Sequence, residues 1–368
     1  MRYELPFQTL LLLASTMVNP AGTAYADWQY GGTIDLGYTN AFQTDDKVRW
    51  RSKATTARLN EFAPNMGMFY VRKPVSEGAR WGMELGAQAG YDTDGQVPST
   101  DRVPGYSMLR YLSRANVSYL APIGSGLTLT AGLMNSFIGY ESMFAKDNPN
   151  YSRSWIADYS PYYLMGAGGQ YTFNEAVSGG FYLVSDYDYL AYRTAEPKYA
   201  GQLAWTLAPG WKFTQNLFAG PEQAADTSTG YWRYFSDSIL QWSHEDVTVA
   251  LACDIGTEKL VGEGRQTLWM GSALFTRWHV DGPWSVALRP EVYWDGDGRL
   301  TGYRQLIKAV TTTVEYKIPL DFGSVALRGE YRYDESTGAQ GGFFDHGGGL
   351  RAGQHLMLFS LLLAMDKP

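Results

Sequence analysis

Charged residues recur at every second position in several stretches of the chain. Arg328, Glu330 and Arg332 alternate with Leu327, Gly329 and Tyr331. Arg289 and Glu291 alternate with Leu288 and Val292, and Glu315 shares a face with Thr311, Thr313 and Lys317. A spacing of two places side chains on one face of an extended strand. Arg110 and Arg114 lie upstream, and the polar stretch 137–160 carries Glu141, Lys146, Asp147 and Arg153. If that stretch folds against a charged strand face, acidic and basic groups oppose one another across a gap. The resulting transverse field would order water and sort polar solutes by charge and dipole. Arg110, Arg114, Glu141, Asp147, Arg153, Arg289, Glu315, Arg328, Glu330 and Arg332 are therefore the candidate lining of a constriction. The competing expectation for 137–160 is a solvated outer loop whose Ser and Arg side chains bond its own backbone.

Other chemistry is less well supported. Asp295, Gly296, Asp297 and Gly298 could offer oxygens to a hard cation, but a calcium site takes six to eight ligands and the run reads more simply as a hairpin tip. Asp186 and Asp188 beside Tyr187 and Tyr189 read as residues at the base of a loop. Nucleophilic catalysis needs a nucleophile, a base and an orienter within reach. The four histidines, His244, His279, His346 and His355, have no Gly-x-Ser-x-Gly partner. No catalytic residue, cofactor or metal is expected.

The elements that would hold such faces are strands. Segments 125–134, 284–293, 309–318 and 324–333 alternate apolar and polar residues, with Leu127, Leu129, Ala131 and Leu133 on one face of the first, an outward face suited to lipid. Short turns fall near 74–79, 121–126, 174–176, 208–210, 244–246, 281–283 and 319–323. Longer polar stretches lie between them, near 40–54, 92–105, 137–160, 187–197, 220–230, 256–266, 295–304 and 334–353. One strand between successive connections gives about sixteen, with short turns on one rim and long loops on the other, as in outer-membrane barrels. Trp28, Tyr30, Tyr119, Trp211, Trp232, Trp242, Trp278 and Trp284 fall near strand ends, where an aromatic girdle would sit.

Composition agrees with this reading. Aromatic residues make up 15 % of the chain, with 27 Tyr and 12 Trp, and the mean hydropathy is only -0.27. A barrel needs lipid-facing side chains at alternate positions only, so it crosses a bilayer without an apolar run of helix length. The net charge of -7 lacks the basic surface that nucleic acid requires, and a single Cys253 forbids an internal disulfide. Arg2, the apolar stretch Leu10–Ala14 and the small residues Ala24 and Ala26 read as a signal peptide over 1–26, leaving one domain over 27–368. Glu4 makes the leading segment less positive than usual. The first strand follows at once, so there is no room for the N-terminal plug of a gated transporter.

The most specific local text is Ala131-Gly132-Leu133, Ile138-Gly139-Tyr140-Glu141, the run Asn148 to Ser154, and Pro161 with Gly166. It resembles the OmpL-like β-barrel porin-2 family, most strongly over 115–190 and more loosely in the flanking strands. The resemblance implies an all-β, antiparallel up-and-down transmembrane barrel in the bacterial outer membrane, of porin function and without catalysis. The chain departs from the common barrel ending, since its last residues follow Leu363 with Ala364, Met365, Asp366, Lys367 and Pro368, and Phe359 is the nearest aromatic. The expectation is a passive channel for small polar solutes, with outer-membrane lipids and the barrel-assembly machinery as partners. Whether it oligomerises stays open. The alternatives are a non-conducting structural or adhesive barrel, and a secreted soluble carbohydrate-binding β protein.

Overall fold

The structure, a computed structural model, describes residues 28–96, 106–187, 196–223, 230–259 and 264–366. The segment read as a signal peptide lies outside these residues, as do Asp188 and Tyr189. The strands are β1 (Gln29–Ala41), β2 (Phe62–Lys73), β3 (Trp81–Ala89), β4 (Leu112–Ala121), β5 (Leu127–Asn135), β6 (Tyr163–Thr172), β7 (Val177–Val184), β8 (Lys198–Ala208) and β9 (Trp211–Gln223). They continue as β10 (Gly230–His244), β11 (Val247–Lys259), β12 (Gln266–Asp281), β13 (Trp284–Asp295), β14 (Gln305–Leu320), β15 (Gly323–Thr337), β16 (Phe343–Phe344), β17 (Leu350–Arg351) and β18 (Gly353–Asp366).

Successive strands from β1 to β15 pair antiparallel, and β18 closes the ring by pairing with both β15 and β1, giving a closed barrel of 16 strands. β16 and β17 form a separate hairpin within the last long loop. Closure satisfies every edge, which is the condition a lipid-exposed sheet must meet.

The period-two pattern resolves into an inward and an outward face. Along β13, Ser285, Ala287, Arg289, Glu291, Tyr293 and Asp295 are buried, while Leu288, Val292 and Trp294 are exposed outward. β15 repeats this, with Ala326, Arg328, Glu330 and Arg332 buried and Leu327 and Tyr331 exposed. The outward face is thus apolar and the inward one charged. Exposed Trp81, Trp211, Trp278 and Trp284 mark the short-turn rim, and Tyr199, Trp232, Tyr234 and Trp294 lie toward the long-loop rim. The two aromatic zones frame an apolar band.

Leu133 departs from the expected outward face. It is buried in an apolar cluster with Met66, Met68, Met143 and Phe144. Gly132 takes φ 124°, a conformation open to glycine, and the chain leaves β5 two residues beyond Leu133 to enter the barrel. The stretches 220–230 and 256–266, read as long loops, are shorter connections, because β9 to β12 continue further toward that rim. Short helical turns at Tyr91–Gln96, Tyr106–Leu109 and Trp155–Asp158 break the all-strand reading locally.

Candidate functional site in the barrel lumen

The segment 136–162 joins β5 to β6 and folds inside the barrel. Phe144, Tyr151, Ser152, Arg153, Ser154, Trp155 and Ile156 are all buried. Taking so much loop backbone out of water requires partners for its polar groups, and the inward face of the strands supplies them.

On β15, Glu330 accepts the backbone N–H groups of Tyr151 at 2.6 Å and Ser152 at 3.0 Å, together with the Ser152 hydroxyl. The Thr313 hydroxyl on β14 donates to the same carboxylate at 2.6 Å. Two residues along, Arg332 donates to the Arg153 carbonyl at 2.9 Å and pairs with Asp334 at 2.8 Å and Glu291 at 3.1 Å. Arg328 donates to the Ala145 carbonyl at 2.8 Å and pairs with Glu315 at 2.6 Å.

On β13, Arg289 holds the loop from two sides, pairing with Glu141 at 2.9 Å and donating to the Ser152 carbonyl at 2.7 Å. Its neighbour Glu291 accepts the Trp155 N–H at 2.5 Å, and Asp334 accepts the Trp155 indole N–H at 2.9 Å. Further round the ring, Asp237 of β10 accepts the Gly139 N–H at 2.8 Å, and Asp254 of β11 accepts the Ser160 hydroxyl at 2.8 Å. Tyr151 donates to Asp35 of β1 at 2.8 Å and accepts from Asn65 of β2 at 2.7 Å. The inserted segment is therefore tied to both sides of the ring.

A second layer covers it from the long-loop side. Lys53, in the segment 42–61, donates to the Arg153 carbonyl at 2.8 Å and pairs with Asp158 at 2.5 Å. Burial pushes its ammonium pKa down against the pull of Asp158. Trp50 packs edge-on against Trp155 with ring centroids 6.4 Å apart. Arg153 pairs with Asp92 at 3.2 Å, and burial pushes the Asp92 carboxyl up to about 7 although Arg153 pulls it the other way.

The sequence candidates separate into groups on this map. Glu141, Arg153, Arg289, Arg328, Glu330 and Arg332 meet in the buried network, with Glu315 at its lower edge beneath Arg328. Asp147 is half-exposed and pairs with Lys146 at 2.7 Å. Arg114 lies on β4 over the Tyr70 ring, 4.3 Å from its centroid and 3.9 Å from Glu84. Arg110 precedes β4, half-buried, and donates to the Tyr111 hydroxyl at 2.9 Å. The geometry differs from two charged walls facing each other across an open gap. Charges this deeply buried are stable only in contact, so Glu141 and Arg289 close on one another instead. Asp295, read as a hairpin tip, accepts the N–H groups of Arg299, Leu300 and Thr301 and so folds its own loop.

A family model described as Putative beta-barrel porin-2, OmpL-like, matches residues 27–365, all of the barrel but its last residue. The chain belongs to that family. No curated protein matches it in sequence. Among solved structures, the outer membrane channel DcaP of Acinetobacter baumannii gives a TM-score of 0.60 at 8 % identity, over 95 % of this chain and 100 % of that one. An anion-selective porin from Comamonas acidovorans gives 0.59 at 11 % identity, over 92 % and 99 %. The trimer form of OmpT, an outer membrane protein of Vibrio cholerae, gives 0.56 at 9 % identity, over 92 % and 99 %. At such identities the likeness shows a shared barrel.

In this OmpL-like porin-2 barrel, the alternation that sets Glu291 beside Arg289 on the charged face did not mark it as an anchor, and Asp334, Asp237 and Asp254 were missed altogether. The inward position of those three could have been read from the alternation, as it was for Arg289 and Glu330. Asp92, Lys53 and Asp158 carried no such signal, because they act from loops whose path alternation does not describe.

Proposed function

We propose that this chain, after removal of residues 1–26 as a signal peptide, is a bacterial outer-membrane channel through which small polar solutes diffuse passively. The observation that carries the reading is the closed barrel of 16 strands with a charged inward face and an apolar outward one. A barrel of that size is wide enough for an aqueous lumen. The family membership supports the same reading, and segment 136–162 is then the constriction, with lipids and the barrel-assembly machinery as partners. Exposed outward Leu251, Ile255, Leu288 and Val314 speak against a soluble carbohydrate-binding protein, which would present them to water.

One observation favours a second reading, a barrel that does not conduct. The inserted segment is covered by Trp50 and Lys53 and has fully buried ion pairs where an open constriction would have hydrated ones. Single-channel recording of the purified, folded protein in a planar bilayer distinguishes the two. Discrete, stable openings are expected. Folded, inserted protein that passes no current overturns the channel in favour of the closed barrel.

A further inference from the structure

Beneath the inserted segment, on the short-turn side, a cavity of about 420 Å³ opens between the turn at Lys146–Asp147 and the wall formed by β12 to β15 and β18. Its charges do not balance. Lys146, Arg277, Lys317 and Arg328 line it against only Asp147 and Glu315. Glu315 is already shared between Arg277 at 3.1 Å and Arg328 at 2.6 Å, and Asp147 pairs with Lys146. Lys317 makes no ion pair among the described residues, and its exposed side chain and the half-exposed Arg277 border the cavity. His279 adds a ring nitrogen 3.4 Å from the Ser285 hydroxyl. Asp281 and Asp321, on the adjoining turns, are exposed and do not line the cavity.

This local surplus of positive charge stands inside a chain whose net charge is -7. A cleft in which one sign of charge is in surplus, between low-dielectric walls, concentrates counter-ions. Pro283, Pro319, Ala326 and Leu362 add apolar surface, beside the hydroxyls of Ser285 and Ser324. Cationic groups together with apolar surface match a small organic anion, with its charged groups on Arg277 and Lys317 and its skeleton against Leu362.

We infer that this cavity is a binding site for small organic carboxylates, through which the channel selects anions on its short-turn side. The selecting role rests on the channel reading; the site itself does not. The test is calorimetric titration of the folded full-length protein in detergent with succinate, with ethylenediamine as a dication of similar length. Saturable succinate binding, weakened by added salt, is expected, with no saturable binding of the dication. Lys317→Glu and, separately, Arg277→Gln are expected to weaken succinate binding by about tenfold or more. Both side chains reach solvent, so each variant should keep the circular dichroism of the barrel. Absence of saturable succinate binding, equal binding of the dication, or unchanged affinity in both folded variants overturns the site. Succinate binding without bilayer conductance keeps the site and overturns the channel, whereas conductance without succinate binding does the reverse.

Discussion

Glu330 is the residue on which the inserted segment depends most directly, because a single carboxylate satisfies two adjacent buried backbone N–H groups. Glu330→Ala leaves both without an acceptor, at roughly 1–3 kcal/mol for each orphaned group. The expected result is a lower melting temperature and new protease cleavage within 136–162, with the barrel's β-sheet circular dichroism retained. An unchanged cleavage pattern would show that Arg289 and Arg332 hold the segment unaided. Asp92 predicts a pH effect. Its folded pKa, about 7, lies above the ordinary carboxyl value of 3.8, so the folded state keeps the proton through the interval between them. The contribution of Asp92 to stability is therefore greatest below the lower value and falls as pH rises toward the upper one. Arg153, Asp35, Asp158 and the Thr56 N–H are the groups that act on it. Asp92→Asn is neutral at every pH and should flatten that slope in tryptophan-fluorescence melts; a slope that persists belongs to another group. Arg289, Arg328, Glu330 and Arg332 could be placed inward from their spacing of two. Their partners could not, since the loop residues they hold lie well over a hundred positions away in the chain.

At the scale of the strands, the sequence was legible because period-two alternation and turn chemistry are local properties. Turns such as the one between Asp281 and Trp284 appear where Pro and Gly cluster, and the long-loop rim follows from the longer polar stretches. Leu133 was misread for a reason alternation cannot express, namely the positive φ of Gly132 at the entry to the inserted segment. The β16–β17 hairpin is too short to produce a periodic signal. The two-faced strand predicts a dependence on depth. Leu288 lies outward on β13, midway between Trp284 and Trp294 at the two aromatic zones. In a bilayer, Leu288→Arg should cost about 2–4 kcal/mol and Trp284→Arg, at the rim, only about 0–1 kcal/mol. Reversible urea unfolding in lipid vesicles measures both. Equal costs would mean that β13 does not cross hydrocarbon in the direction its faces indicate.

At the scale of the whole molecule, the barrel and the segment inside it are separable in their bonding. The ring is closed by backbone pairing from β1 round to β18, and beyond the Ser136 N–H bond to the Tyr162 carbonyl at its base, no residue of 136–162 extends that ladder. The segment is held by side chains instead, through apolar contacts such as those of Met143 and Phe144 and through charged strand residues that would meet water if it were removed. Charged groups that lose a protein partner to solvent keep hydrogen bonds, unlike groups stranded in an apolar core. Replacing 139–158 with a short Gly-Ser linker should therefore leave a folded barrel lined by Arg289, Arg332, Glu330, Asp237 and Asp254 around an emptied lumen. Its single-channel conductance is expected to rise severalfold over that of the intact protein, as for barrels of about sixteen strands with an open interior. Conductance no greater than that of the intact chain would place the limiting constriction elsewhere, at the layer formed by Trp50, Lys53 and their neighbours.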